Sequence, residues 1–316
     1  MNDDLSSPSA HASSDRTQGV AWERATLEKL VFATIREQQS ARRWKMFSRL
    51  LWLAIFGAIA WLAYTNNTTT TVSTPHTAVV DIKGEIASGA EASAEYVVAS
   101  LRSAFEDEGA QAVVLLINSP GGSPVQAGII NDEITRLKGL HDKKVYAVVE
   151  ETCASAAYYI AAAADNIYVD KASLVGSIGV LMDGFGFTGL MDKLGIERRL
   201  MTAGENKAML DPFSPQDANQ RAYIQSMLGE IHAQFIEVVK KGRGDRLKES
   251  EDTFSGLVWS GQQAVQLGLA DGLGNLDYVA REVVKAEDIV DYTHRENVGL
   301  RLAKRFGASV GEGMFH

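Results

Sequence analysis

The chain has 316 residues, 46% of them hydrophobic, with 28 glycines against 6 prolines; this suits a folded α/β protein rich in tight turns and excludes a disordered chain. Its net charge of −9 is uneven: residues 1–71 hold eight Lys and Arg against six Asp and Glu, and the remainder 23 against 34, so the main body is acidic and phosphate backbones repel it, which argues against a nucleic-acid partner. Cys153 is the only cysteine, so no intrachain disulfide can form.

In chain order, Met1–Gly19 is rich in Ser, Ala and Asp and is expected to be a disordered tail; Leu27, Leu30, Val31 and Ile35 then carry a helical spacing. Residues 1–45 form an N-terminal segment ahead of an apolar stretch, 46–64, which reads as a transmembrane anchor. Its uncharged part is only 15 residues, short of the ~20 that a bilayer asks for, and a snorkelling Arg49 with Met46 and Phe47 extends it. Trp52 and Trp61 stand near its two ends as interfacial aromatics do, and no Ala-x-Ala cleavage site comes directly after it. Arg36, Arg42, Arg43, Lys45 and Arg49 lie on the N-terminal side and no Lys or Arg occurs after the span before Lys83, so the bias puts the N-terminus in the cytoplasm and the rest outside. This predicts a single-pass protein of the inner (cytoplasmic) membrane whose main domain is periplasmic. Residues 65–76 are a polar tether.

The main domain is expected over 77–285, with a helical extension over 286–316. Strands are predicted at 78–82, 112–118, 144–150 and 166–170, alternating with helices at 92–106, 125–137 and about 154–164. Continuous apolar strands separated by helices define an α/β fold with a mainly parallel sheet covered on both faces. In such sheets ligands gather where strands end and helices begin. A long helix is expected from Pro215 to Lys241, capped by Ser214 with Asp217 in its first turn.

Two strand ends carry candidate chemistry. Asn118–Pro124 closes the second core strand, and its paired Gly121 and Gly122 let backbone N–H groups face a ligand; alone it reads first as an ordinary strand-to-helix turn. Ser155 comes after the third strand at a helix start, where the N–H of Ala156 favours a developing negative charge, and where a serine is by default an N-cap. Lys207 lies 52 residues further on, and a desolvated lysine can serve a serine as base where no histidine does.

Taken together, VVDIKGEI, INSPGG, ASAAYYIAAAADNIYVD, SLVGSIGV, AGENKAMLDPFSP and VWSGQQAVQLGLADGLG, spread from Ala78 to Val284, resemble the signal peptide peptidase A family of membrane-anchored Ser/Lys proteases. The resemblance implies the fold shared by Clp protease and crotonase, and is closest to the short form with one catalytic repeat. It implies Ser155 as nucleophile, Lys207 as general base, Ser177 as the residue orienting the lysine ammonium, and Gly122, Gly121 and Ala156 as oxyanion donors. It also implies a homo-oligomer that shares each dyad between protomers, acting on cleaved signal peptides or unfolded polypeptide. Many relatives have Gly-Gly where this chain has Ala156-Ala157, and the two methyls narrow the approach to Ser155 if they face it.

A neutral amine is required, and Met209, Leu210 and Phe213 are candidate apolar walls around Lys207. Cys153 reads as a small apolar group under the helix start. Of the six histidines, His11, His76 and His316 lie in tail, tether and terminus, and His141, His232 and His294 fall outside every matched motif. No metal-ligand spacing, Walker loop or dinucleotide fingerprint is present, so no cofactor and no metal is expected. Two alternatives stand: a catalytically silent membrane-anchored scaffold of the same fold, and a crotonase-type acyl-CoA enzyme.

Overall fold

The computed structural model describes residues 44–61 and 74–295, in two units divided after Thr70. In the first, residues 44–61 form helix α1, on which Leu50, Trp52 and Trp61 are exposed. Among the described residues no helix is long and apolar enough to cross a membrane. The span expected over 46–64 runs past the described residues at 61; the N-terminal tail, most of the tether and the part of the expected helical extension after residue 295 also lie outside them.

In the second unit β1 (His76–Lys83), α2 (Ala94–Glu106), β2 (Ala110–Ser119), α3 (Pro124–Leu140), β3 (Lys144–Ala154), α4 (Ala156–Ala161), β4 (Asn166–Val169) and β5 (Leu174–Gly176) succeed one another. After them come α5 (Thr188–Leu194), α6 (Ala218–Arg243), β6 (Val258–Ser260), α7 (Gly261–Gln266), β7 (Gly272–Leu273), α8 (Leu276–Tyr278), a π-helical turn (Val279–Val284) and β8 (Ile289–Asp291). The sheet order is β6-β5-β3-β2-β1-β8, with β4 paired to β3 and β7 to β4; every pairing is parallel except β5 with β6. The expected α/β architecture with a mainly parallel sheet is therefore present.

The two-residue strand period sorts the core. On β2, Val113, Leu115 and Ile117 enter the large cluster under the helices, while Val114 and Leu116 face a smaller cluster with Val79, Val148 and Val279 on the other side. Both faces are covered, which is why the middle of β2, residues 112–117, is apolar at every position. Helix α2 buries Val97, Leu101, Ala104 and Phe105, one helical stripe. Helix α3 opens on Pro124, whose missing N–H costs nothing in a first turn, behind Ser123, whose hydroxyl accepts the Gln126 N–H at 3.4 Å.

Strand β3 is the element that positions the site. Tyr146–Val149 pair with β4, and Thr152–Ala154 pair with β5. Against β2 its register steps from Ile117↔Val149 to Ser119↔Cys153, so four residues of β3 span two of β2. Such a bulge re-aims the residues immediately beyond it, and here the first residue past the end of the strand is Ser155.

Two expectations are corrected. Helix α6 begins at Ala218, with Asp217 rather than Ser214 as its cap: the Asp217 carboxylate accepts the N–H groups of Asn219 and Gln220, while the Ser214 hydroxyl donates to Asp211 at 2.6 Å. A residue before proline is steered away from helical geometry, which keeps Ser214 outside. The segment from 286 does not start a helical extension: Ile289–Asp291 form β8 beside β1, and only residues after 295 lie outside the described part.

Candidate active site

Ser155 occupies the turn between β3 and α4 with φ 54° and ψ −123°, a region that side chains with a Cβ avoid. The turn is held from both ends: the Ser155 N–H donates to the Gly176 carbonyl at 2.8 Å, and its carbonyl accepts the Tyr159 N–H at 3.0 Å. The side chain is half-buried and makes no capping hydrogen bond, so the hydroxyl is not consumed as an N-cap. A serine on a sharp strand-to-helix turn presents its Oγ outward, as a nucleophile must be presented.

Ser177 lies on the neighbouring strand end. Ala154 pairs with Gly176, so Ser155 and Ser177 are the next positions on two parallel strands, and Ser177 also has positive φ, 51°. Its N–H donates to the Leu257 carbonyl at 2.7 Å. On α6, His232 Nε2 donates to the Ile178 carbonyl at 3.1 Å; this histidine, absent from every sequence motif, braces the turn. Gly176, with φ 111°, leaves no room for a Cβ, which would sit 3.0 Å from Trp259 Cδ1.

The glycine pair comes to the other side of Ser155. A Cβ on Gly121 would lie 2.8 Å from Ser155 Cβ and 3.0 Å from the Ala156 nitrogen. The Gly121 N–H is already engaged, donating to Ser119 Oγ at 3.1 Å, and its carbonyl accepts the Ile86 N–H at 2.9 Å. No peptide bond among the described residues is cis. In a trans peptide the N–H points opposite to the C=O, so the Gly122 N–H is directed away from Ile86. Ile86 lies beyond the end of β1 and Ser155 beyond the end of β3, on opposite flanks of the glycine loop at the end of β2. The Gly122 amide thus faces the Ser155 side, and it donates to no group among the described residues. The Ala156 amide opens α4, before any intrahelical acceptor. Of the three expected donors, Gly122 and Ala156 keep an N–H to offer and Gly121 does not.

Ala156 and Ala157 are buried within the large core cluster, so their methyls pack inward. Cys153 is wholly buried and burial pushes its thiol pKa up, which leaves it an inert packing group.

Lys207 stands apart. It is exposed in a turn where its N–H donates to the Gly204 carbonyl at 3.1 Å, and its ammonium makes no hydrogen bond or ion pair among the described residues, with Ser155 or any other group. No residue from Gly179 to Gln234 is buried. The expected walls do not enclose it: Leu210 and Phe213 are exposed, and Phe213 stacks on Phe187 at 5.4 Å with the Arg198 guanidinium 5.3 Å from its ring centre. The segment folds on itself, the Arg198–Asp211 ion pair (2.9 Å) closing it. A cavity of about 470 Å³ between it and the first half of α6 borders Ala208 and Leu210 but includes neither Ser155 nor Gly122. Leu181, Phe185 and Met201 project from this arm, Met201 being 94% exposed.

Fold and site together define a class: α/β proteins that set a strained serine against backbone amides at the carboxyl edge of a parallel sheet. This chain belongs to the signal peptide peptidase A group within peptidase family S49, whose family model matches residues 140–290. It is 33% identical over 227 residues to a putative protease (MJ0651) of Methanocaldococcus jannaschii, covering 70% of this chain and 72% of that one. It is 31% identical over 193 residues to a putative signal peptide peptidase SppA of Enterococcus faecium, covering 61% and 56%. With a Brucella melitensis protein named Na(+)/H(+) antiporter NhaA it shares 49% identity over 176 residues, yet these span only 24% of that protein's length.

Proposed function

We propose that this protein is a membrane-bound serine endopeptidase that degrades remnant signal peptides and other apolar, unfolded segments. Ser155 Oγ attacks the scissile carbonyl carbon while its proton passes to Lys207 Nζ; the carbonyl electron pair moves onto oxygen, where the Gly122 and Ala156 amides stabilise it. Collapse expels the amine, which takes the proton from Lys207, and a water then repeats the sequence on the acyl-enzyme. Ser177, next to Ser155 in register, orients the lysine ammonium.

The observation that carries this reading is the strained, uncapped Ser155 against the glycine loop, where Gly121 comes closest and the Gly122 amide follows. The exposed, unpaired Lys207 on an arm with protruding apolar side chains supports a homo-oligomer in which a neighbouring copy brings its lysine to this serine. Contact with that copy removes water from the amine and favours the neutral form that can accept a proton. The apolar helix over 44–61, with Lys45 and Arg49 at its start, supports an anchor with the N-terminus in the cytoplasm and the peptidase domain periplasmic.

The test is fluorophosphonate labelling of the full chain together with cleavage of a synthetic signal peptide. Ser155 is labelled, and both Ser155→Ala and Lys207→Ala abolish turnover. Assemblies mixed from the two inactive variants regain activity, because some interfaces then join an intact serine to an intact lysine. Retained activity in Lys207→Ala overturns the dyad, and an unlabelled, inactive wild-type assembly supports a scaffold.

A further inference from the structure

We propose that Ser119 is a positioning residue of this reaction, its hydroxyl locking the glycine loop so that the Gly122 N–H points at the oxygen of a carbonyl seated on Ser155. This rests on the peptidase reading above and adds to it a residue without which the oxyanion donor is present but unaimed.

Gly121 and Gly122 have φ of 105° and 147°, and neither has a Cβ to confine it to one well. Their peptide planes must therefore be fixed by hydrogen bonds. The plane between Gly121 and Gly122, which carries the donor, is held through its carbonyl by the Ile86 N–H, and Ser123 N–H returns a bond to the Ile86 carbonyl at 2.8 Å. That leaves the preceding plane. Its N–H, on Gly121, is buried and finds one acceptor, Ser119 Oγ, two residues back. Ile86 and Ser119 thus grip Gly121 from its two ends and set the torsions between them.

Ser119 is suited to this by its own fixity. It is fully buried, and it pairs with Cys153, two residues before the nucleophile, so the hydroxyl that sets the donor is tied in register to the strand that sets Ser155. Without the Oγ, the Gly121 N–H is a buried donor with no partner, and the cheapest relief is rotation about a glycine that permits it. The rotation swings the next plane, and with it the Gly122 N–H.

The test compares Ser119→Ala and Ser119→Cys with the wild type in the full assembled protein. It uses a cleavable peptide and a peptide aldehyde, whose hemiacetal oxygen with Ser155 occupies the oxyanion position. Because only transition-state stabilisation is affected, kcat falls about 10- to 100-fold in Ser119→Ala with KM within about threefold, and aldehyde affinity falls by the same factor as kcat. Ser119→Cys, close in volume but a weak acceptor, falls between the two and decides the matter if the alanine variant does not fold. A folded, assembled variant with kcat and aldehyde affinity within about twofold of wild type, or with a raised KM alone, overturns the inference. Fluorophosphonate labelling separates the failures: a labelled, active wild type with unaffected Ser119 variants removes this proposal alone, whereas an unlabelled wild type removes the peptidase reading with it.

Discussion

Ser155 and Ser177 stand side by side one position past the Ala154–Gly176 pair, and both have positive φ, 54° and 51°. Among the described residues only Leu210 and Lys285 share that property without being glycine. Two strained side chains on adjacent strand ends are held by the bonds from Ser155 N–H to Gly176 and from Ser177 N–H to Leu257. Strain of this kind persists only where the surroundings over-determine it, and at a site it is part of the presentation of the side chain.

The cost of that strain is measurable. Ser155→Gly removes the Cβ that conflicts with φ 54° and ψ −123° and is expected to stabilise the fold by about 1 kcal/mol, the release of ~1–3 kcal/mol being offset by glycine's extra unfolded-state entropy. The variant has no turnover. Denaturant titration beside an activity assay reads both, and a variant less stable than wild type contradicts the strain argument.

Gly121→Ala should act in the opposite sense. Its Cβ would meet the Ala154 carbonyl and Ser155 Cβ at 2.8 Å each, on a residue with φ 105°. The loop must retreat from the nucleophile, so kcat is expected to fall about 100-fold or more, with a stability loss of about 1–3 kcal/mol. Steady-state kinetics and thermal unfolding on one preparation test this, and a near-normal kcat would show the loop free of the site.

The far end of α6 is pinned by a buried guanidinium. Arg243 is 1% exposed and reaches both Asp271 oxygens at 2.8 and 2.9 Å and the Gly268 carbonyl at 2.8 Å. Arg243→Met leaves Asp271, in a largely buried site, with only Arg246 at 3.1 Å and the Ile167 N–H at 2.7 Å, and is expected to cost about 3 kcal/mol. Adding Asp271→Leu should recover a substantial part, because both charges are then gone. Equilibrium unfolding of the single and double variants measures the difference, and a single variant within about 1 kcal/mol of wild type would mean that the pair is solvated.

Acid stability should depend on Glu133. The hydrogen bond from Arg136, with Arg102 beside it, outweighs burial and lowers its carboxyl from 4.5 to about 2. A depressed carboxylate contributes stability that is complete above the unfolded value and is lost as pH falls through the folded one. Wild-type Tm is therefore expected to decline from about pH 4.5 down to about pH 2, and Glu133→Gln to be lower at neutral pH with a shallower decline in that window. Calorimetry against pH decides, and parallel curves for the two proteins would remove Glu133 as the cause.

Much of the fold was legible because its central strands are long and apolar. Val113–Ile117 and Val145–Val149 are buried on both faces and read as parallel strands from their composition alone. Strands β5 and β6, three residues each, are too short for any period to register, yet β5 holds the Ser155 amide and seats Ser177. The sequence reading caps α6 with Ser214, whereas Asp217 is the cap: both residue types cap helices, and only the chain path after Pro215 separates them. Ser119 carried one local signal, a serine two residues before a glycine, which is a turn former by its side chain in many proteins and a lock only in this position.

By itself the sequence determined the order of strands and helices from β1 to β4, the serine that comes after the third strand and the family to which the chain belongs, since these depend on local pattern and on the identity of residues. Tertiary structure alone decided which glycine offers its N–H, because that depends on which partners already hold Gly121. It also decided that Lys207 meets no partner among the described residues, because burial is a property of what packs against a side chain rather than of its neighbours in sequence.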